Sequence, residues 1–392
     1  MQKTNKTFCI APWVEAVVRT DGTINPCCQR MSAEFNIADI TINDYYNSDV
    51  LQDMRNSMLA GESVAVCKEC YLAEEKYGTS MRTEFNQDYK FLLPNRYAET
   101  LEYFKYDQLT FPNRLELHVG NLCNLKCLTC RPQDSSGILT EDRILGISKY
   151  DQKKFTINDI NLDKILDQIV NKNIEILDLR GGESLLVPSI KKFCAGLSNE
   201  LASKITLRLQ TNATVFDNAW ADIFNKFNSV ELMISIDAYG QDNNYIRYPA
   251  EWNTIVDNID KFKTIDKIHH MFVNTTVSNL SWPILPKLFD WLIDNDLSCK
   301  LEAVKNPSYY QIQNLPKELL YKYTDEIKQY QGKFKYPSTN QYLLGLTTFV
   351  ESQYDNCGLE WQEFCSIISK RDNYRKNSIF DMIPELREYW HA

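Results

Sequence analysis

The 392-residue chain contains no apolar run as long as a membrane span. Its first residues, "MQKTNKTFCIAPW", hold no long apolar core of the kind a secretory signal carries. A cytoplasmic protein without a membrane partner is the expectation. Positive charge is also short, with a net charge of −9. That argues against a protein whose main task is to coat nucleic acid, and no nucleic-acid partner is expected. Internal repeats and low-complexity segments are absent as well. The remaining absence is local. In "NLCNLKCLTCRPQ", Cys123, Cys127 and Cys130 stand in C-x3-C-x2-C spacing, and no fourth cysteine lies nearby.

Apolar residues at 44% and charged residues at 24% are ordinary globular proportions, and a chain this long can bury a core without disulfides. Its twelve cysteines therefore need another explanation in a reducing compartment. Eight sit in tight sets: Cys9, Cys27 and Cys28, Cys67 and Cys70, and the triad. Cys194, Cys299, Cys357 and Cys365 are scattered among apolar neighbours and read as small buried hydrophobes.

Residues 1–85 carry turn signals, five of the cysteines and little long periodicity. "VVRTDGTINPCC" reads as two short strands around a turn at Asp21-Gly22. "NSDVLQDMRNSMLAG" has Val50, Leu51, Met54 and Met58 at helical spacing and stops at Gly61. Residues 86–113 form a Tyr/Phe-rich connector. From 114 to 305, six apolar runs (114–120, 174–181, 205–212, 229–237, 270–277 and 299–305) alternate with helical patterns at 159–172, 188–200, 217–227, 251–264 and 283–295. Such alternation implies βαβ units and a parallel sheet. Six units are too few for a closed eight-stranded barrel, so the expected fold is α/β, a partial (β/α)6 TIM-like barrel. A small Cys-rich module precedes it, and residues 306–392 form a helical C-terminal extension.

This reading puts the triad in the loop after the first barrel strand, at the C-terminal end where parallel α/β proteins place their function. Structural zinc wants four ligands, usually as paired C-x2-C units. Three thiolates in a tight loop suit one face of a 4Fe–4S cluster. The fourth iron is then left to a substrate or cofactor.

C-x3-C-x2-C after the first strand of a partial barrel resembles the radical SAM superfamily. The resemblance covers about 114–305. It implies S-adenosylmethionine (SAM) on the open iron, reductive cleavage to a 5′-deoxyadenosyl radical, and hydrogen abstraction from a substrate. "RGGES" at the end of the second strand resembles the family's Gly-Gly-Glu motif. Gly181 and Gly182 would allow close backbone approach and Glu183 would accept from the methionine ammonium. Asn212, Ser235 and Arg247 match the family's further SAM-site positions, with Asp237 beside them. Two positions depart: Thr129 stands where many relatives have an aromatic, and Ser184 where they have Pro.

The N-terminal cysteines carry a second resemblance, to the auxiliary-cluster modules SPASM and twitch. Cys9, Gly22, Cys27, Cys67 and Cys70 fit the signature's first half, with Cys28 as an alternative to Cys27. No cysteine follows Cys70 closely, which is nearer the single-cluster twitch form, and here the module precedes the barrel rather than follows it. Asp372, Arg375 and Pro384-Glu385-Leu386 match a C-terminal segment of related twitch proteins. The resemblance implies a second 4Fe–4S cluster. Four such thiolates could also hold zinc. Expected partners are a peptide, sugar or other small-molecule substrate and an electron donor such as a flavodoxin or ferredoxin. A non-catalytic, cluster-bearing binding or scaffold protein is the alternative.

Overall fold

The computed structural model describes residues 6–28, 35–92, 111–147 and 159–390. Most of the Tyr/Phe-rich connector, from 93 to 110, lies outside them.

Eight strands form one sheet. They are β1 (Glu15–Val18), β2 (Ile24–Asn25), β3 (Arg114–His118), β4 (Ile176–Arg180), β5 (Thr206–Thr211), β6 (Ser229–Ser235), β7 (Ile268–Val277) and β8 (Ser298–Ala303). Their order is β2-β1-β3-β4-β5-β6-β7-β8, and every neighbouring pair is parallel except β1 with β2. The α/β class holds, and all six runs read as strands are strands. The N-terminal segment adds two more. Its turn at Gly22, where φ is +83°, folds β2 back on β1. β1 then pairs with β3, Glu15 beside Arg114 and Val18 beside Leu117, and covers the edge that β3 would otherwise expose. The helix expected to end at Gly61 spans Asp49–Ala60, with Gly61 left-handed at φ +80° as its cap.

Alternation gives the sheet two unlike faces. Leu115, Leu117, Leu177, Leu179, Leu207, Leu209, Val230, Leu232 and Val273 are buried in one continuous apolar core with the helices. Arg114, Glu116 and His118, with Asp178, Arg180, Arg208 and Glu231, occupy the opposite face and are bound into an ion network. Arg114 reaches Glu15 at 2.9 Å and Asp178 at 2.8 Å. Arg180 reaches Asp178 at 3.1 Å and Glu116 at 3.3 Å. Arg208 pairs with Glu231 at 2.9 Å.

After β8 the chain is helical as expected, in helices Lys317–Lys328, Pro337–Ser352 and Trp361–Arg375. No helix of the described residues is long and apolar enough to cross a membrane. Cys194, Cys299 and Cys365 are buried as their neighbours suggested, whereas Cys357 is only half-buried.

Candidate functional site

The triad lies in the loop between β3 and helix Ser136–Leu145. Outside groups fix the loop's path. The Ser136 N–H donates to Asn121 O at 2.6 Å, and Ser135 Oγ donates to Leu125 O at 3.0 Å while capping the helix at Ile138. Lys126 N–H donates to Tyr248 O at 2.5 Å and Leu128 N–H to Ile246 O at 2.8 Å. Cys127 is buried, and Cys123 and Cys130 are half-buried. Burial, then repulsion from Cys127, pushes the Cys123 thiol up to about 12. Burial likewise pushes Cys130 well up, helped by Cys127, Asp134 and Cys123. The three thiols thus sit within electrostatic reach of one another, and a bound cation would favour their ionised form.

The end of β4 lies directly against this loop. Gly181 has φ +90° and Gly182 +45°. A Cβ on Gly182 would stand 2.3 Å from Leu122 O, so only glycine fits. The Glu183 N–H donates to the same carbonyl at 2.8 Å. The Glu183 side chain is fully buried and already accepts from Thr211 Oγ at 2.8 Å, Asn212 N–H at 2.7 Å and Leu185 N–H at 3.2 Å. A carboxylate has about four acceptor positions, so one remains for a cation. Burial raises its pKa against those three hydrogen bonds.

Asn212, at the end of β5, donates to Asn124 Oδ1 at 2.9 Å and approaches Cys123 Sγ at 3.9 Å. Ser235, at the end of β6, accepts from Gln210 Nε2 at 3.1 Å. Arg247 pairs through Nη1 with Asp237 at 2.8 Å, and its buried Nε has no partner among the described residues. Burial alone would lower the Arg247 pKa, but Cys127 and Asp237 raise it further. Gly181, Gly182, Glu183, Asn212 and Arg247 therefore join the triad around one centre. Ser235 ends the next strand over.

The five N-terminal cysteines also meet. Cys9, Cys27, Cys28, Cys67 and Cys70 line one cavity with Glu15, Arg82, Arg114, Glu116 and Arg180. The cavity therefore opens onto the polar face of β1, β3 and β4. Burial raises Cys9, which Cys67 and Cys70 repel. Among the described residues no three His, Cys, Asp or Glu side chains surround a single ion-sized point. Zinc would require sulfurs about 2.3 Å from one centre. A cluster has separate irons and spreads its thiolates wider.

Residues 9–71 match the SPASM family model, described as an iron-sulfur cluster-binding domain. The N-terminal segment is thus similar to a cluster-binding domain. The SPASM-like expectation for this segment holds, and the match lies ahead of the strand–helix alternation. No curated protein sequence matches the chain. Among solved structures, native anSMEcpe with bound AdoMet is 17% identical, with a TM-score of 0.42 over 56% of this chain and 60% of that one. Streptococcus suis SuiB bound to S-adenosylmethionine is 18% identical, with a TM-score of 0.39 over 60% of this chain and 52% of that one. TYW1 with a lysine-pyruvate adduct bound is 16% identical, with a TM-score of 0.31 over 53% of this chain and 70% of that one. The chain spans about 60% of the length of the first of these.

Several residues at these sites escaped the sequence reading. Thr211 and Asn124 hold Glu183 and Asn212 but look like an ordinary strand-end and an ordinary loop polar residue. Arg114, Glu116 and Arg180 line the five-thiol cavity, yet each reads as the polar half of an alternating strand. Arg371, which donates to Glu141 on the helix after the loop, also escaped it, and Arg375 was legible only as part of a C-terminal motif, not as a partner of Lys126 O.

Proposed function

We propose that this chain is a radical SAM enzyme with an SPASM- or twitch-like auxiliary cluster. The observation that carries the reading is the joining of Gly182-Glu183 to the triad loop through Leu122, with Asn212 bridging Glu183 to Asn124 and Cys123. A three-thiolate loop beside a buried carboxylate is a poor structural zinc site and a suitable seat for an open-iron cluster and a cationic amino acid. When bound, a reduced 4Fe–4S cluster supplies the electron that cleaves SAM into a 5′-deoxyadenosyl radical able to take hydrogen from a substrate.

This chain's own residues divide the remaining work. Cys123, Cys127 and Cys130 hold the barrel cluster. Glu183 accepts from the methionine ammonium through its remaining acceptor position. Gly181 and Gly182 let the β4 end lie close to the loop. Arg247, kept charged beside Asp237, offers its unpartnered Nε to a carboxylate or ribose oxygen. Asn212 and Ser235 bind the rest of the nucleoside. Cys9, Cys67, Cys70 and one of Cys27 and Cys28 hold the second cluster. The likeness of residues 9–71 to an iron-sulfur cluster-binding domain favours that cluster over zinc. The divisions at 85, 113 and 305 belong to the same reading, although helix Met81–Leu92 runs across the first.

The substrate would bind against the polar face of the sheet and would be a peptide, a sugar or another small polar molecule. A flavodoxin or ferredoxin would donate the electron. A reducing cytoplasm would keep the cysteines available as cluster ligands. The test is anaerobic reconstitution with iron and sulfide, followed by dithionite and SAM. Formation of 5′-deoxyadenosine is expected. A chain that binds iron but leaves SAM intact would be a cluster-bearing binding or scaffold protein instead.

A further inference from the structure

The last long helix, Trp361–Arg375, carries two arginines one turn apart that reach back to the triad loop and the helix that follows it. Arg371 donates from Nη1 to Glu141 Oε1 and from Nη2 to Asp142 Oδ1, both at 2.6 Å. Arg375 donates from Nε to the two Glu141 oxygens at 3.1 and 3.2 Å. Its Nη2 donates to the backbone oxygen of Lys126 at 2.6 Å. Both guanidiniums are almost fully buried, with side-chain exposures of 2% and 1%.

The point of contact is specific. Lys126 O belongs to the peptide group directly before Cys127. The peptide group directly after Cys127 donates its N–H, that of Leu128, to Ile246 O at 2.8 Å. Both peptide groups of Cys127 are therefore pinned from outside the loop, one by Arg375 and the other by the segment that carries Arg247. The two anchors are themselves joined. The Arg375 guanidinium lies 4.9 Å from the centre of the Tyr248 ring, and Tyr245 O–H donates to Asp372 Oδ1 at 2.7 Å. Glu141 and Asp142 lie on helix Ser136–Leu145, which begins where the loop ends.

A fork of this kind sets direction as well as distance. Arg375 spans Glu141 and Lys126 O together, so it fixes the loop relative to its own outgoing helix. Arg371 Nη1 donates to the same Glu141 Oε1 that Arg375 engages and so helps hold that carboxylate in place. An apolar residue could fill the same volume but could not hold the Lys126 carbonyl.

We propose that Arg375 is a positioning residue for Cys127, and that the last helix works as a clasp on the iron-ligating loop. The inference rests on the radical SAM reading to the extent that the triad holds iron. The full chain with Cys67→Ala and Cys70→Ala, reconstituted anaerobically, leaves triad iron as the pool to follow. Iron release to bathophenanthroline disulfonate is timed in that background. Arg375→Met should accelerate release by about 10–100-fold, the scale on which outer-shell partners affect metal affinity. Arg375→Lys can reach Lys126 O but not fork onto Glu141, so it should release iron at an intermediate rate. Phe364→Leu, buried on the same helix, supplies a general loss of stability away from the loop and should leave the rate unchanged.

Wild-type release from Arg375→Met overturns the proposal. Equal acceleration by Phe364→Leu at a matched fall in Tm also overturns it, leaving a fold-stabilising ion network. If the parent chain takes up no triad iron, the radical SAM reading fails and the clasp is judged on the metal-free chain. Hydrogen exchange at the Lys126 and Leu128 amides should then be faster in Arg375→Met than in wild type. Unchanged exchange there overturns the clasp independently of any metal.

Discussion

Gly182 and Leu122 are in backbone contact: a Cβ on Gly182 would stand 2.3 Å from the Leu122 carbonyl oxygen, one residue ahead of Cys123. Gly181 repeats the relationship with Gly120 O at 2.8 Å. Gly182→Ala must meet that carbonyl and hold φ near +45°. Backbone strain alone is expected to cost about 1–3 kcal/mol. The Cys123 end of the loop would have to move away from β4. Iron at the triad should fall while the N-terminal site keeps its own. Iron analysis combined with thermal unfolding checks this, and full triad iron at an unchanged Tm would contradict it.

Periodicity made the strands legible because each run alternates locally and is bounded by turns. The triad and Gly-Gly-Glu were legible because their spacing is short. Pairing of β1 with β3 was not, since nothing local in Glu15–Val18 says which strand it will join about 100 residues later. The grip of Arg375 on Lys126 spans 249 residues and leaves no periodic trace. Glu183 shows a subtler limit. Its place beside two glycines suggested an acceptor for a ligand cation, whereas its three protein donors became visible only when the end of β5 was set beside it.

Those donors shape the test of SAM binding. Glu183→Ala would strip three hydrogen bonds from the ends of β4 and β5, mixing structural loss with ligand loss. Glu183→Gln keeps the volume but removes the charge. It should leave triad iron unchanged and weaken SAM binding by about 1.5–3 kcal/mol, the scale of a hydrogen bond to a charged group. Calorimetric titration of the reconstituted chain with SAM measures the difference. Identical isotherms for the two proteins would remove Glu183 from the SAM site.

Asp178 sits fully buried between Arg114, Arg180 and Arg208. Burial by itself would raise its pKa, but Arg180, Arg114 and Arg208 together hold it below the usual carboxylate range. A depressed pKa contributes stability above the unfolded value, about 3.9, and loses it as the pH falls toward the folded value. Asp178→Asn leaves buried guanidiniums without this partner and should cost about 3–5 kcal/mol near neutral pH. Denaturant unfolding of both proteins from about pH 7 to pH 3 should show the gap narrowing in acid below the unfolded pKa. A gap that stays constant or widens would mean that the Asp178 charge is not what stabilises the network.

The five-thiol cavity separates two metals by stoichiometry. Two clusters predict about eight irons per reconstituted chain, whereas a zinc knuckle predicts about four irons and one zinc. Cys67 and Cys70 line the cavity beside Cys9, and Cys67 is pushed up to about 11 by burial and by Cys70. Cys67→Ala and Cys70→Ala should each remove about four irons and leave the triad cluster able to form 5′-deoxyadenosine. Cys27 and Cys28 both line the cavity, and four-thiolate ligation needs only one of them. Only one of Cys27→Ala and Cys28→Ala should therefore behave like Cys67→Ala. Equal iron loss from both would mean that all five thiols take part, and retention of iron in Cys67→Ala and Cys70→Ala would remove the metal from this cavity.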